Sequence, residues 1–116
     1  MLDVLLAIVL TLITGVCDAY GFVHASRTWK GGQFAPREAV LAISLFLVGI
    51  LVYIALIRNL ERLGITSPEI QTLGWFATTV IGIAIIERTV LGWANIDKAM
   101  AVVAVVSVGW LVVRKG

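Results

Sequence analysis

The sequence predicts an all-α integral membrane protein, built as a bundle of four transmembrane helices in up-down-up-down order. Of its 116 residues, 60% are hydrophobic and only 14% are charged, whereas a soluble domain is about a quarter charged. Apolar runs that approach the length needed to cross about 30 Å of hydrocarbon occur four times. This length suits one domain, so we expect residues 1–116 to form a single membrane domain.

The four predicted spans are joined by short connections. They cover approximately residues 4–25, 39–57, 70–89 and 96–113. Each span is expected to be a helix, because lipid offers no partner for unpaired backbone amides. The connections are too short to hold a second domain, so consecutive helices should run in opposite directions. The chain starts with "MLDVLL", which lacks the basic residues of a secretory signal, so the first span is expected to stay in the mature protein.

Proline, glycine and capping residues mark the predicted helix ends. Pro36 is expected at the start of the second helix, where its missing N–H costs nothing. The sequence "TSPE" at 66–69 fits a capping box, in which Thr66 caps the third helix and Glu69 reaches back. Chain breaks are predicted at Gly31, Gly32 and Gly92.

Basic residues are almost evenly divided between the two sides of the predicted bundle. The side with both termini and the middle loop has Arg58, Arg62, Arg114 and Lys115, and the other has Arg27, Lys30, Arg37, Arg88 and Lys98. Such a balance gives almost no positive-inside bias. Either the protein inserts in both orientations, or a partner sets its orientation. A third possibility is that a helix-end residue such as Arg88 has less effect on the orientation than the other basic residues.

A stripe of small and hydroxyl residues runs along the first helix. Its members are Thr11, Thr14, Gly15, Asp18 and Gly21. Such residues let helices approach closely and form interhelical hydrogen bonds, so Asp18 is predicted to face protein or a water-filled crevice rather than lipid. The third helix repeats the pattern with Gly74, Thr78 and Gly82. We expect these three residues, together with Gly15, to pack against other helices.

Asp18 is the main candidate for function, because a carboxylate within a span costs about 2.5–3.5 kcal/mol on insertion scales. One interpretation is a titrating group that exchanges a proton for a ligand. The other is a structural group that is paired with Arg88 or with the hydroxyl of Tyr53. Two further interactions are predicted near the membrane surface: a hydrogen-bonded or solvated His24, and a helix-end ion pair between Glu87 and Arg88.

Other classes of function find no support in the sequence. No nucleophile–base pair, glycine-rich phosphate loop or paired carboxylate motif is present, so we expect neither an enzyme nor a cofactor. One cysteine, Cys17, and one histidine, His24, do not provide a metal site. The net charge of +2 includes no basic cluster that would indicate nucleic acid. The expected partners are the lipid bilayer, copies of this chain or a larger membrane complex.

Two stretches carry a resemblance to a known family. "LVYIALIRNLERLGITSPEIQTLGWFATTVIG" comprises a helix, a short loop and a helix with Trp75 soon after the loop. "LGWANIDKAMAVVAVVSVGWLVV" comprises a turn with Asp97 and a final helix. This layout resembles the small multidrug resistance branch of the drug/metabolite transporter superfamily, whose chains have about this length and four helices. The chain departs from that family at the acidic residue of the first helix. The family has a glutamate in the middle of that helix, whereas this chain has Asp18, closer to one end.

The resemblance implies a proton-coupled transporter of small organic cations that acts as an antiparallel dimer, and we expect a multi-pass protein of a prokaryotic inner membrane. In that function Asp18 would exchange a proton for the substrate beside Thr14, and Tyr53 and Trp75 would supply aromatic walls suited to a cation. The alternative is an accessory or assembly subunit of a larger membrane complex, in which Asp18 and the small residues bind a neighbouring helix.

Overall fold

A computed structural model describes residues 1–115 and confirms the four helices. They are α1 (Leu2–Ser26), α2 (Pro36–Arg62), α3 (Pro68–Glu87) and α4 (Asn95–Lys115). All four are long and apolar enough to cross a membrane, and the chain is a multi-pass integral membrane protein. Most ends extend past the predicted spans, because helices continue into the polar residues that flank the apolar stretches. The exception is the end of α3, which lies two residues before the predicted position.

Helices α1 and α2 run antiparallel and are tied together at both ends. At one end, the guanidinium of Arg62 in the last turn of α2 lies 3.4 Å from the carboxylate of Asp3 in the first turn of α1. At the other end, Nδ1 of His24 lies 2.5 Å from Oε2 of Glu38. Of the two predicted possibilities for His24, hydrogen-bonded or solvated, the structure has the hydrogen-bonded one, and the partner lies in the first turn of α2.

Helix α3 lies beside α1 and runs parallel to it. Arg27, just after α1, binds Glu87 at the end of α3 at 2.8 Å. Helix α4 returns along α3, because Val112 near the end of α4 approaches Gly74 near the start of α3. The up-down-up-down order is confirmed by these contacts.

The core lies among α1, α2 and α3, with α1 at its centre. Seven residues of α1 are buried, whereas none of the residues of α4 is. Helix α4 packs mainly on α3, so most of its apolar surface is left for lipid or another protein.

The start of α3 corrects one predicted detail. The N-cap is Ser67 rather than Thr66: the Ser67 hydroxyl accepts a hydrogen bond from the Ile70 amide at 3.5 Å and donates one to Glu69 at 2.6 Å. The reason is the position of Pro68, which takes the first helical position and leaves the preceding serine as the cap.

The connection between α1 and α2 is a short β-hairpin that was not predicted. Strand β1 (Trp29–Lys30) pairs antiparallel with β2 (Gln33–Phe34). The predicted break at Gly31 and Gly32 is the turn, where φ is +57° and +77°. Positive φ at both central residues is typical of tight hairpin turns and favours glycine. Helix α2 then begins at Pro36, as predicted.

We expect reporters fused to the C-terminus to show mixed orientation in the membrane. Since the up-down-up-down order divides the basic residues four against five, neither orientation has a strong charge preference. The check is a pair of reporters that are active on opposite sides of the membrane. Two lysines inserted beside Lys115 should then favour one orientation. A single orientation of the natural chain would contradict this expectation.

Candidate functional site

Asp18 lies where α1 meets α2 and α3, and it is only 5% exposed. The stripe on α1 faces the protein interior as expected: Thr14, Gly15, Asp18 and Gly21 are buried, and Thr11 is half-buried. Asp18 therefore faces neighbouring helices rather than lipid.

Two side chains hold the Asp18 carboxylate. The indole Nε1 of Trp75 on α3 donates a hydrogen bond to Oδ2 at 2.5 Å. The hydroxyl of Thr14 lies 3.4 Å from the same oxygen and donates to the carbonyl of Gly49 on α2 at 2.8 Å. A hydroxyl carries one proton, so Thr14 donates either to the Gly49 carbonyl or to the Asp18 carboxylate, and the Gly49 oxygen is the nearer of the two.

Asp18 forms no ion pair with any of residues 1–115. The ion pairs in this part of the chain lie at the ends of the bundle, and they are Asp3–Arg62, His24–Glu38 and Arg27–Glu87. Buried charges in proteins are normally paired. Within residues 1–115, the Asp18 carboxylate has the indole N–H and a hydroxyl as hydrogen-bond partners and no positively charged one.

The structural partners predicted for Asp18 and Glu87 are not the observed ones. Neither Arg88 nor the Tyr53 hydroxyl is hydrogen-bonded to Asp18. Glu87 binds Arg27 at 2.8 Å, so the predicted Glu87–Arg88 pair is wrong. Arg88 has a left-handed backbone, with φ +58°, at the end of α3. Adjacent helical residues do not face each other, and this turn also takes Arg88 out of the helix.

A cavity of about 490 Å³ opens beside Asp18, within the size range of small-molecule sites. Its walls come from α1, α2 and α3 and consist of Asp18, Phe22, Phe46, Ile50, Tyr53, Thr72 and Trp75. The rings are arranged in two edge-on pairs: Phe22 with Phe46 at 4.9 Å, and Tyr53 with Trp75 at 6.5 Å between centroids. One carboxylate thus stands in a largely aromatic cavity.

Two glycines, Gly21 on α1 and Gly49 on α2, let these groups come close together. A Cβ at Gly49 would overlap the carboxylate of Asp18, and a Cβ at Gly21 would lie 2.8 Å from the ring of Phe46. Glycine at both positions therefore lets α2 pack directly over Asp18.

The contact between α1 and α3 depends on the predicted small residues. A Cβ at Gly15 would lie 2.5 Å from the Thr78 methyl, and a Cβ at Gly82 would lie 2.8 Å from the Ala19 Cβ. This close approach places α3 near enough for its tryptophan to reach Asp18. Gly74 is on a different face, where a Cβ would lie 3.8 Å from Val112 of α4.

The structure brings Asp18, Thr14, Tyr53 and Trp75 together, the four residues predicted for substrate and proton binding. Sequence reasoning missed Phe22 and Phe46. A signal was available, because Phe22 follows Asp18 by four residues, and Phe46, Ile50 and Tyr53 recur at helical spacing on one face of α2.

Comparison of the chain with protein-family models, curated proteins and solved structures finds no match. The interpretation of function therefore depends on the contacts around Asp18. These contacts describe a site with one acidic group, aromatic walls and room for a small organic molecule.

Proposed function

We propose that this protein is a small proton-coupled transporter of organic cations, in which Asp18 binds either a proton or the substrate. One observation carries the proposal: a buried carboxylate without a cationic partner in residues 1–115 lines a cavity of about 490 Å³. Burial in low dielectric makes an uncompensated charge costly, so both a proton and an organic cation relieve the same cost.

The aromatic walls support a cationic substrate rather than a neutral one. Cations are attracted to the faces of aromatic rings by about 0.5–2 kcal/mol each, and quaternary ammonium groups are recognised in this way. Phe22, Phe46, Tyr53 and Trp75 supply such rings around one carboxylate. A flat or bulky organic cation suits this cavity better than a small hydrated ion, because little of the wall can replace lost water.

Exchange follows from competition for a single carboxylate. In the proton-bound form, the proton cancels the charge of Asp18, and Thr14 keeps its hydrogen bond to the Gly49 carbonyl. In the cation-bound form, the ionised carboxylate keeps the hydrogen bond from Trp75 and faces the substrate. One group cannot serve both ligands at once, so cation binding expels the proton. The near balance of basic residues favours an antiparallel dimer as the working unit.

The direct test is proton release from the purified protein in weakly buffered detergent solution. Addition of quaternary ammonium and aromatic cations should release protons in a saturable way, with about one proton for each bound cation as the upper limit. A pH indicator or electrode measures the release, and an equal addition to protein-free detergent is the blank. No release across a broad panel of cations would contradict the proposal.

The aromatic wall can be tested with the two tyrosines of the chain. Tyr53→Leu removes one ring from the cavity and should weaken binding of a quaternary ammonium compound by roughly 0.5–2 kcal/mol, or about two- to thirtyfold. Tyr20 on α1 is 44% exposed and does not line the cavity, so Tyr20→Leu is the matched control. Calorimetry measures both affinities, and an equal loss in the two variants would rule out a specific role for Tyr53.

A second candidate function is an accessory or assembly subunit of a larger membrane complex. It is favoured by α4, on which every residue stays at least partly exposed although the helix packs on α3. In this case a neighbouring subunit would supply the group that compensates Asp18. Purification in mild detergent followed by native mass measurement distinguishes the two: a homodimer supports the transporter, and a stoichiometric larger complex supports the subunit.

A further inference from the structure

A second large cavity, of about 440 Å³, opens between α3 and α4. It shares no lining residue with the cavity at Asp18. We propose that this groove binds an anionic phospholipid, with one acyl chain between the two helices and the phosphate at Lys98. The proposal does not depend on what Asp18 does.

The groove suits an acyl chain because its walls are aliphatic. The groove has room because the facing residues of the two helices, Ala84 and Ala101, are small. Its sides are formed by aliphatic residues such as Val80, Ile81 and Val105. From Lys98 to Val106 the groove follows α4 for eight residues, or about 12 Å at 1.5 Å per residue. A polar ligand would find almost no hydrogen-bonding group along this length.

Lys98 gives the groove a charged end. It is the one charged residue in the lining and lies in the first turn of α4, near the end of the span. Trp93, which is 48% exposed, lines the same groove, and tryptophan favours the headgroup level of a bilayer. An acyl chain in the groove would therefore place its headgroup at Lys98.

The local charge favours an anionic headgroup over a zwitterionic one. Neither Lys98 nor the exposed Arg88 forms an ion pair within residues 1–115. Arg88 immediately precedes the turn Thr89–Gly92, from which Val90 and Leu91 line the same groove. Asp97 is next to Lys98 in sequence, but adjacent helical residues point in different directions. Each basic residue near a membrane surface contributes about 1 kcal/mol of attraction to anionic lipid.

The headgroup is tested by native mass spectrometry of the full chain in mild detergent. Phosphatidylglycerol and phosphatidylcholine with the same acyl chains are titrated separately. The natural chain should retain phosphatidylglycerol more strongly than phosphatidylcholine, and Lys98→Gln should reduce that preference about fivefold. Lys30→Gln is the matched control, because Lys30 is exposed on the hairpin at the same end of the bundle and forms no ion pair in the described chain. An equal effect of both variants, or no preference in the natural chain, would overturn the proposal.

The acyl chain is tested by filling the groove. Ala101→Leu should reduce retention of both lipids severalfold, whereas Ala104→Leu should not, since Ala104 is exposed on α4 outside the groove. If Ala101→Leu changes the oligomeric state and leaves lipid retention unaltered, a second protein chain occupies the groove and the lipid proposal fails. If Ala101→Leu does not fold, Lys98→Gln still decides the question.

Discussion

Replacement of Asp18 by asparagine is expected to abolish cation-induced proton release while leaving the bundle folded. Asparagine has nearly the same shape, and its carbonyl oxygen can still accept the hydrogen bond from Trp75. The asparagine side chain cannot release a proton, and it has no negative charge to attract a cation. Loss of one partner from a buried charge pair costs about 2–5 kcal/mol, so cation affinity should fall at least about thirtyfold.

Asp97→Asn is the matched control, because Asp97 is exposed at the start of α4 and does not line the cavity at Asp18. Proton release measured with the same cation should be unchanged in this variant. Release that persists in Asp18→Asn would show that another group exchanges the proton. If neither the natural chain nor Asp18→Asn releases protons and the variant loses a copurifying subunit, Asp18 has a structural role at a subunit interface.

The four helices could be predicted because the membrane restricts what a chain can do. Long apolar runs must form helices to satisfy their backbone groups, and short connections then fix the order. The position of Asp18 inside the bundle could also be predicted, since a stripe of small and hydroxyl residues is typical of a contact between helices. The hairpin at Gly31 and Gly32 was missed because two-residue strands leave almost no pattern.

The partners of Asp18 could be predicted only in part. Helical spacing indicates which residues share a face, but it does not give the rotation and offset of one helix against another. The offset between α1 and α2 decides that Phe46 and Gly49 lie over Gly21 and Asp18. Likewise the ends of α1 and α3, which are 60 residues apart in sequence, bring Arg27 to Glu87. These are long-range consequences of packing.

Gly82→Ala and Gly109→Ala are expected to change stability in opposite directions. A Cβ at Gly82 would lie 2.8 Å from the Ala19 Cβ, and neither atom can rotate away, so α1 and α3 must move apart. Overpacking of this kind costs about 1–3 kcal/mol, and for two Cβ atoms this close the cost should exceed the gain that alanine also brings to the helix at position 82. A Cβ at Gly109 on α4 would meet nothing within 4 Å, and alanine is favoured over glycine in a helix by about 1 kcal/mol.

Unfolding in bicelles, measured by tryptophan fluorescence, should therefore give a lower free energy of unfolding for Gly82→Ala and a higher one for Gly109→Ala. Cation binding adds a second readout, because the contact at Gly82 also holds α3 where Trp75 reaches Asp18. Gly82→Ala should weaken binding, and Gly109→Ala should leave it unchanged. Stabilisation by both alanines would mean that α1 and α3 are too far apart for the indole to hold the carboxylate, and the cavity would then lose its acidic wall.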